Sequence, residues 1–214
     1  MRKKILVKAV VDIVCPWCFV GKSNLMNAME EAKALYDFDV SFLPFQLDPS
    51  TPIAGVSRVE YLKNKFGNDE RFQAAESMVV KAAQRSGSEI HFEKVAMHIN
   101  TMDCHRLIWW AGNKGKQVPV IGAIYKAYYQ DGIDLSKKEN LVRIMTNEGF
   151  DKTETEKFLA SNEGESEVKA LMGEAYDLGI TGVPFFILNN EVGISGAQPK
   201  EVFLEAFAEV AEQI

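Results

Sequence analysis

The feature that most constrains this chain is a junction near its start. Ile5 to Val14 is an almost unbroken apolar run rich in β-branched residues, and it ends at Cys15-Pro16-Trp17-Cys18. Such a run reads as a central strand covered on both faces. Pro16 suits the first turn of a helix, where its missing N–H costs nothing. From there to about Tyr36, Leu25, Met29 and Ala32 recur at helical spacing. Two cysteines separated by two residues at a helix start can close a small disulfide ring. The first of them meets free backbone N–H groups and the positive helix end. Those groups favour thiolate over thiol, and thiolate is the nucleophile of disulfide exchange. Cys15, nearest the helix end and solvent, is therefore expected to attack, and Cys18, one turn further in, to be shielded and to resolve.

Two plainer readings compete. One is half of a zinc site. Tetrahedral zinc takes four ligands, usually as two spaced pairs. Only Cys104, His91, His98 and His105 remain, with no second chelating pair, and the adjacent Cys104 and His105 would point about 100° apart on a helix. No metal is expected. The other is a pair of ordinary cysteines, and a CxxC that follows a strand and opens a helix argues against it. Three cysteines are also too few for a disulfide-stapled secreted fold.

The rest of the chain supplies a large core. Of 214 residues 47% are apolar and 25% charged, a globular composition. The net charge of −6 argues against a nucleic-acid partner, which calls for a basic stripe. No stretch approaches the roughly 20 apolar residues of a membrane span. Lys8 and Asp12 interrupt the opening MRKKILVKAVVDIV, and no small-x-small cleavage site follows, so the cytoplasm is the expected compartment.

Asp39 to Phe45 reads as a second strand, so the first 45 residues spell β-α-β. Pro49, Pro52 and Gly55 mark a linker. From about Val56 to Phe150 the patterns are mostly helical, with four or five helices. One runs from Asp69 to Ser86, one begins at Asn100, one has Pro119 near its start, and one is announced by a Ser136/Glu139 capping box. Two further helices, over Asp151 to Ser161 and Glu165 to Leu178, lead to a short strand, Phe185 to Leu188. Asn189-Asn190 gives a turn, Val192 to Ser195 its hairpin partner, and Pro199 opens a terminal helix. Removing the helical block leaves a compact sheet with helices on both faces. Just before the late strand stands Thr181-Gly182-Val183-Pro184. A trans proline there would only cap the strand. A cis bond would turn the Val183 backbone outward beside the cysteines, where an extended substrate segment could pair with it.

Together, CPWC after an apolar strand, the helical insert, GVP before a strand and Gly196-Ala197-Gln198-Pro199 before the last helix resemble the DsbA family of thioredoxin-fold oxidoreductases. Cys15-Pro16-Trp17-Cys18-Phe19-Val20-Gly21-Lys22 and Asn100-Thr101-Met102-Asp103-Cys104-His105-Arg106-Leu107 resemble its FrnE-like branch. The resemblance spans nearly the whole chain. It implies an α/β thioredoxin fold interrupted by an all-helical insertion domain, with residues 1–50 and 151–214 thioredoxin-like and 51–150 the insertion. It implies Cys15 as nucleophile, Cys18 as resolving cysteine and Val183-Pro184 as the cis-proline pair. Well-studied periplasmic members carry histidine between the cysteines, where this chain has Trp17, and indole has no titratable proton to support a thiolate. They also carry an export signal. In a reducing cytosol the pair should rest as a dithiol, which suits reduction or isomerisation of client disulfides.

The substrate-binding set is thus Pro16, Trp17, Val183 and Pro184. Trp17 either covers the sulfurs and offers an apolar surface to a peptide or simply packs. Asn100 to Leu107 reads first as a helix start with Asn100 as cap, and second as a segment that places His105 or Arg106 in the cleft between domains. Cys104 reads as a buried small hydrophobe. His91 and His98 read as surface or packing residues, and Trp109 and Trp110 as anchors of the helical core.

Three functions are ranked. The first is thiol–disulfide exchange on protein or peptide substrates, with no cofactor beyond the cysteine pair. The second is a glutathione-dependent transferase or isomerase acting on a small molecule. Kappa-class glutathione transferases and 2-hydroxychromene-2-carboxylate isomerase share the fold and insert but use a serine near the position of Cys15. The third is a non-catalytic holdase. A surface helix of the insert leaves a homodimer open, although no heptad run requires one.

Overall fold

The computed structural model describes residues 2–213. Its sheet is built from β1 (Lys3–Val11), β2 (Tyr36–Pro44), β5 (Phe185–Leu188) and β6 (Val192–Ser195), in the spatial order β2-β1-β5-β6. Strands β1 and β2 run parallel, from Lys3 opposite Tyr36 to Val11 opposite Pro44, and are joined by the crossover helix α1 (Pro16–Ala32). Strand β5 lies antiparallel to β1, with Val10 opposite Phe185. It turns into β6 through Asn189 and Asn190, both at positive φ (51° and 60°), the backbone that a tight hairpin needs and that asparagine tolerates. The family-level expectation of a mixed α/β thioredoxin fold therefore holds.

Strand β1 is central, as its composition predicts, but it is covered on both faces only at its end. Ile5, Val7, Ala9 and Val11 are buried on one face. That face packs under α1 and the last helix, α9 (Lys200–Glu212). The other face is open at Leu6, which is 39% exposed, and closes only at Val10. There Phe45, Ala175 and Ile180 meet it as helix α8 (Glu165–Asp177) reaches across. The strand also stops at Val11, three residues short of Val14. Asp12 to Val14 form a turn in which the Cys15 amide donates to the Asp12 carbonyl oxygen (3.2 Å). Helix α1 likewise ends at Ala32, not near Tyr36, and Tyr36 opens β2 instead.

The helical block runs through α2 (Arg58–Phe66), α3 (Asp69–Arg85), α4 (Met102–Gly112), α5 (Gln117–Tyr129) and α6 (Lys138–Asn147). Then α7 (Lys152–Ala160) leads to α8. Periodicity missed a two-residue ladder in which β3 (Val56–Ser57) pairs antiparallel with β4 (Met97–His98), tying the linker back to the segment before α4. The Ser136/Glu139 capping box does not form. The Asp134 carboxylate takes both the Ser136 hydroxyl (2.6 Å) and its amide (3.0 Å), so α6 starts two residues later with no side-chain cap. Asn100 does act near a helix start: its side-chain oxygen accepts from the Met102 amide at 3.0 Å, although the cap position itself falls to Thr101. One continuous cluster of buried apolar residues joins sheet and block, from Ile5 and Phe203 to Tyr125, Tyr129 and Phe158. Trp110 stacks on Phe158 within it (4.8 Å between centroids), and Trp109 packs against it, so both tryptophans serve the core as expected.

Candidate active site

The site is assembled where α1 begins. Cys15 is the residue that caps α1, in an extended conformation (φ −87°, ψ 107°), and Pro16 is the first residue of the helix. The Cys18 and Phe19 amides both donate to the Cys15 carbonyl oxygen (3.0 and 3.4 Å), which fixes the first turn. Across the sheet, the Cys15 thiol donates to the Val183 carbonyl oxygen at 3.5 Å, and the Val183–Pro184 peptide bond is cis. The close seating of α1 on this loop depends on Gly21. A methyl group there would lie 3.0 Å from both Pro184 Cγ and Phe186 Cζ, and 3.4 Å from the Ala197 backbone. Sequence reasoning gave Gly21 no role, because nothing local in its pattern shows what packs across from it.

Cys18 is fully buried, and the Asp12 amide donates to its sulfur at 3.5 Å. Burial pushes its pKa well above the ordinary thiol range, and the neighbouring Cys15 sulfur pushes the same way, so Cys18 holds its proton at neutral pH. That matches the shielded position expected of it. Cys15 departs from expectation: it is only 4% exposed, against 37% for Trp17 beside it. It opens instead into a cleft of about 290 Å³ shared with Val14, Pro16, Trp17 and Val183. The far wall of that cleft comes from the helical block, chiefly Tyr61, Phe72, Phe92 and Tyr129. These aromatics share the cleft with the sulfur, so the space beside it is apolar.

Sequence reasoning missed most of that wall. His98 is 6% exposed, lies in the cleft and stacks face to face on Tyr61, with centroids 3.5 Å apart and planes 9° from parallel. Its packing role was expected; its place opposite the cysteine was not, because it depends on the β3–β4 ladder. Burial lowers its pKa to about 4, so the ring is neutral. Arg58 pairs with Glu76 at 2.6 Å and lies over the Phe92 ring, which offsets the one guanidinium in the wall.

The first reading of Asn100 to Leu107, a helix start, describes α4, and His105 and Arg106 do not line the cleft beside Cys15. The His105 ring is buried behind the site, with Nε2 3.2 Å from Asp12 Oδ1 and 2.9 Å from the Phe45 carbonyl oxygen. Both partners are acceptors, so Nε2 carries the proton and donates. Asp12 Oδ2 accepts from the Leu47 amide (2.8 Å), and the Asp12 carbonyl oxygen accepts from the Tyr125 hydroxyl (3.1 Å). His105 thus reaches the cysteines only through Asp12. Arg106 lies on a separate groove. Its guanidinium donates to the carbonyl oxygens of Phe158, Ser161 and Glu163 and to Asp103 Oδ1, at 2.7 to 3.0 Å. Those bonds clasp α4 to the α7–α8 connection, and the four acceptors leave the side chain no freedom to turn toward the cleft. Cys104 is fully buried, as a small hydrophobe should be, and burial raises its pKa. His91 sits at the surface between Glu89 and Glu93. Among the described residues, no group of three or more His, Cys, Asp or Glu side chains is placed to hold a metal ion.

Strand order, the cysteine pair at a helix start and the prolyl loop opposite are the features of a thioredoxin-type domain. Residues 6–208 match the DSBA-like thioredoxin domain, and the chain belongs to that family. It is similar to a probable DsbA oxidoreductase of Streptomyces coelicolor, SCO1869, at 32% identity. That match covers 96% of this chain and 89% of that one, with a TM-score of 0.88. It is 28% identical over 205 residues to the uncharacterized protein YwbO of Bacillus subtilis (strain 168), covering 95% and 96% of the two chains. The cytosolic disulfide reductase DsbM of Pseudomonas aeruginosa, solved with GSH, shares the fold at 17% identity and a TM-score of 0.67. That match covers 98% of this chain and all of the other.

Proposed function

We propose that the chain exchanges disulfides with protein or peptide substrates, Cys15 attacking and Cys18 resolving. The observation that carries this reading is the Cys15 sulfur at the start of α1, facing the cleft and 3.5 Å from the Val183 carbonyl oxygen, with Cys18 buried behind it. In the first step the Cys15 thiolate attacks one sulfur of a substrate disulfide. A bond forms between Cys15 and that sulfur, the substrate S–S bond breaks, and the other substrate sulfur leaves as thiolate and takes up a proton. In the second step Cys18 gives up its proton and attacks the Cys15 sulfur. The protein disulfide closes and the second substrate thiol is released, so the substrate gains two electrons and the Cys15–Cys18 pair loses two. A thiol such as glutathione would restore the pair. Pro16, Trp17, Val183 and Pro184 would flank the bound substrate, and a main-chain amide of an extended peptide could take over the Val183 carbonyl from the Cys15 thiol.

No described helix is long and apolar enough to cross a membrane. We place the reaction in the cytoplasm, in the reducing direction, a setting shared with the cytosolic disulfide reductase DsbM. The test is equilibration of the Cys15–Cys18 pair against glutathione buffers, followed by turnover of a peptide disulfide. Formation of the intramolecular disulfide and turnover lost in Cys15→Ser are expected. Turnover that survives Cys15→Ser would overturn the assignment.

One observation favours a second reading: the cleft beside Cys15 has room for a small ligand, and DsbM was solved with GSH. A glutathione-dependent transferase or isomerase would turn over a small electrophile only with glutathione present, and would keep doing so in Cys18→Ser.

A further inference from the structure

Three tyrosines of α5 turn inward, and two of their hydroxyls are used. Tyr125 donates to the Asp12 carbonyl oxygen at 3.1 Å and Tyr128 to the Met97 carbonyl oxygen at 2.8 Å. The hydroxyl of Tyr129, a residue only 1% exposed, has no partner among the described residues. Neither has Nε2 of His98. Both residues line the cleft into which Cys15 opens. Nine in ten or more buried polar groups find a hydrogen bond, because leaving one unmade forfeits its hydration without return. A third such atom in the cleft, Glu76 Oε1, is held in its ion pair with Arg58; the two that have no partner of any kind mark a surface completed by polar atoms that arrive with a ligand.

The chemistry of the cleft narrows the ligand. Both unpaired groups are uncharged at neutral pH, since burial holds the His98 ring neutral and keeps the Tyr129 phenol protonated. The surfaces between them are apolar, with Tyr61, Phe72, Val79 and Phe92. The Arg58 charge is matched by Glu76, and Lys65 is exposed, its ammonium 5.6 Å from the Tyr61 ring centre. A volume of about 290 Å³ sits at the low end of small-molecule pockets, roughly 300–1,000 Å³. It suits one bulky side chain and not a folded partner.

We infer that the cleft is a specificity subsite for the substrate residue next to the reacting cystine, selecting a bulky apolar side chain that carries one uncharged hydrogen-bonding group, as tyrosine does, with Tyr129 and His98 as the recognising residues. The inference rests on the disulfide-exchange reading for its substrate and deepens it. A charged side chain entering the cleft would lose its hydration for little return: Arg58 is already paired with Glu76, and Lys65, the other cation of the lining, is solvent-exposed and screened. A phenylalanine side chain would fill the space and leave both polar atoms unpaired.

The test uses the symmetric disulfides of N-acetyl-cysteinyl-X-amide, with X as tyrosine, phenylalanine, aspartate or lysine. The expected order of kcat/KM is tyrosine over phenylalanine by about 3- to 10-fold, the worth of one or two neutral hydrogen bonds, with aspartate and lysine lowest. In Tyr129→Phe, and separately in His98→Phe, which keeps an aromatic face against Tyr61, the tyrosine-to-phenylalanine ratio falls toward one. A binding arm removes the chemistry: in the Cys15→Ala/Cys18→Ala double variant, NMR titration with N-acetyltyrosine amide and N-acetylphenylalanine amide should show the same preference. Equal kcat/KM for all four peptides, or a tyrosine preference that survives both substitutions, would overturn the subsite while leaving exchange intact. No turnover of any peptide, with the amide preference retained, would overturn exchange and leave the subsite standing. Neither turnover nor preference would overturn both.

Discussion

The Cys15 sulfur and the Val183 carbonyl oxygen meet at 3.5 Å although 168 positions separate them in the chain. The meeting follows from sheet order. Strand β1 delivers Cys15 past its end, β5 begins one residue after Pro184, and the two strands are antiparallel neighbours, with Val10 opposite Phe185. Gly21 then lets α1 settle onto the prolyl loop at a distance that any side chain would enlarge.

Separate roles for the two sulfurs give the first prediction. Cys18→Ser should stop the reaction after the first step and accumulate a mixed disulfide between Cys15 and a peptide substrate, visible by mass spectrometry under non-reducing conditions. Cys15→Ser should accumulate none, because the sulfur left behind is buried and protonated. Equal trapping by both variants would refute the division of labour.

Asp12 is the next point of leverage. Its fully buried carboxylate accepts from the Leu47 amide and from His105 Nε2, and its amide donates to the Cys18 sulfur. Asp12→Asn brings an NH2 group against one of those two donors. A loss of about 2 kcal/mol in unfolding free energy is expected, the cost of a buried polar group left unmatched beside a charge-assisted site. Urea denaturation monitored by circular dichroism would measure it, and a change within a few tenths of a kcal/mol would show the carboxylate to be dispensable.

Acid should weaken the protein through His98. Its folded pKa, near 4, lies below the ordinary 6.5, so the unfolded chain binds the proton more readily. The contribution is therefore fully present above about pH 6.5 and is lost as pH falls through the folded value near 4. Urea midpoints at pH 7, 5.5 and 4.5 should fall more steeply in the wild type than in His98→Phe. Parallel profiles would mean that His98 is not the group responsible.

Arg106 separates a clasp from a cleft residue. Lysine in its place cannot reach three carbonyl oxygens and Asp103 at once, since it lacks the planar five-donor fork. Arg106→Lys should cost about 2–3 kcal/mol of stability, the range for buried acceptors left without a partner. Peptide-disulfide turnover per folded molecule should not change. A fall in kcat/KM with stability intact would return Arg106 to the site.

How much of this was readable in the sequence varied with the range of the interactions. The cysteine pair at a helix start, the hairpin at Asn189-Asn190 and the central strand follow from local chemistry and periodicity, and the structure has them. The extent of β1 was overstated because an apolar run shows that residues are hydrophobic without showing where a covering helix stops, and α8 reaches only Val10. The Ser136 cap failed through competition from Asp134, two residues away, for the same hydroxyl. The cleft was invisible for a different reason. Tyr61, His98 and Tyr129 come from three separate segments, and only the short ladder of Val56 with His98 and Ser57 with Met97 brings the first two together.

That outer wall carries a further consequence. Helix α2, which supplies Arg58, Tyr61, Leu62, Lys65 and Phe66 to the cleft, contains no buried residue, whereas α1 on the opposite side buries seven. A segment with so little interior surface detaches at a small fraction of the free energy needed to unfold the whole chain. The wall that faces the nearly closed-off thiol is thus the side of the cleft with the least interior surface to hold it in place.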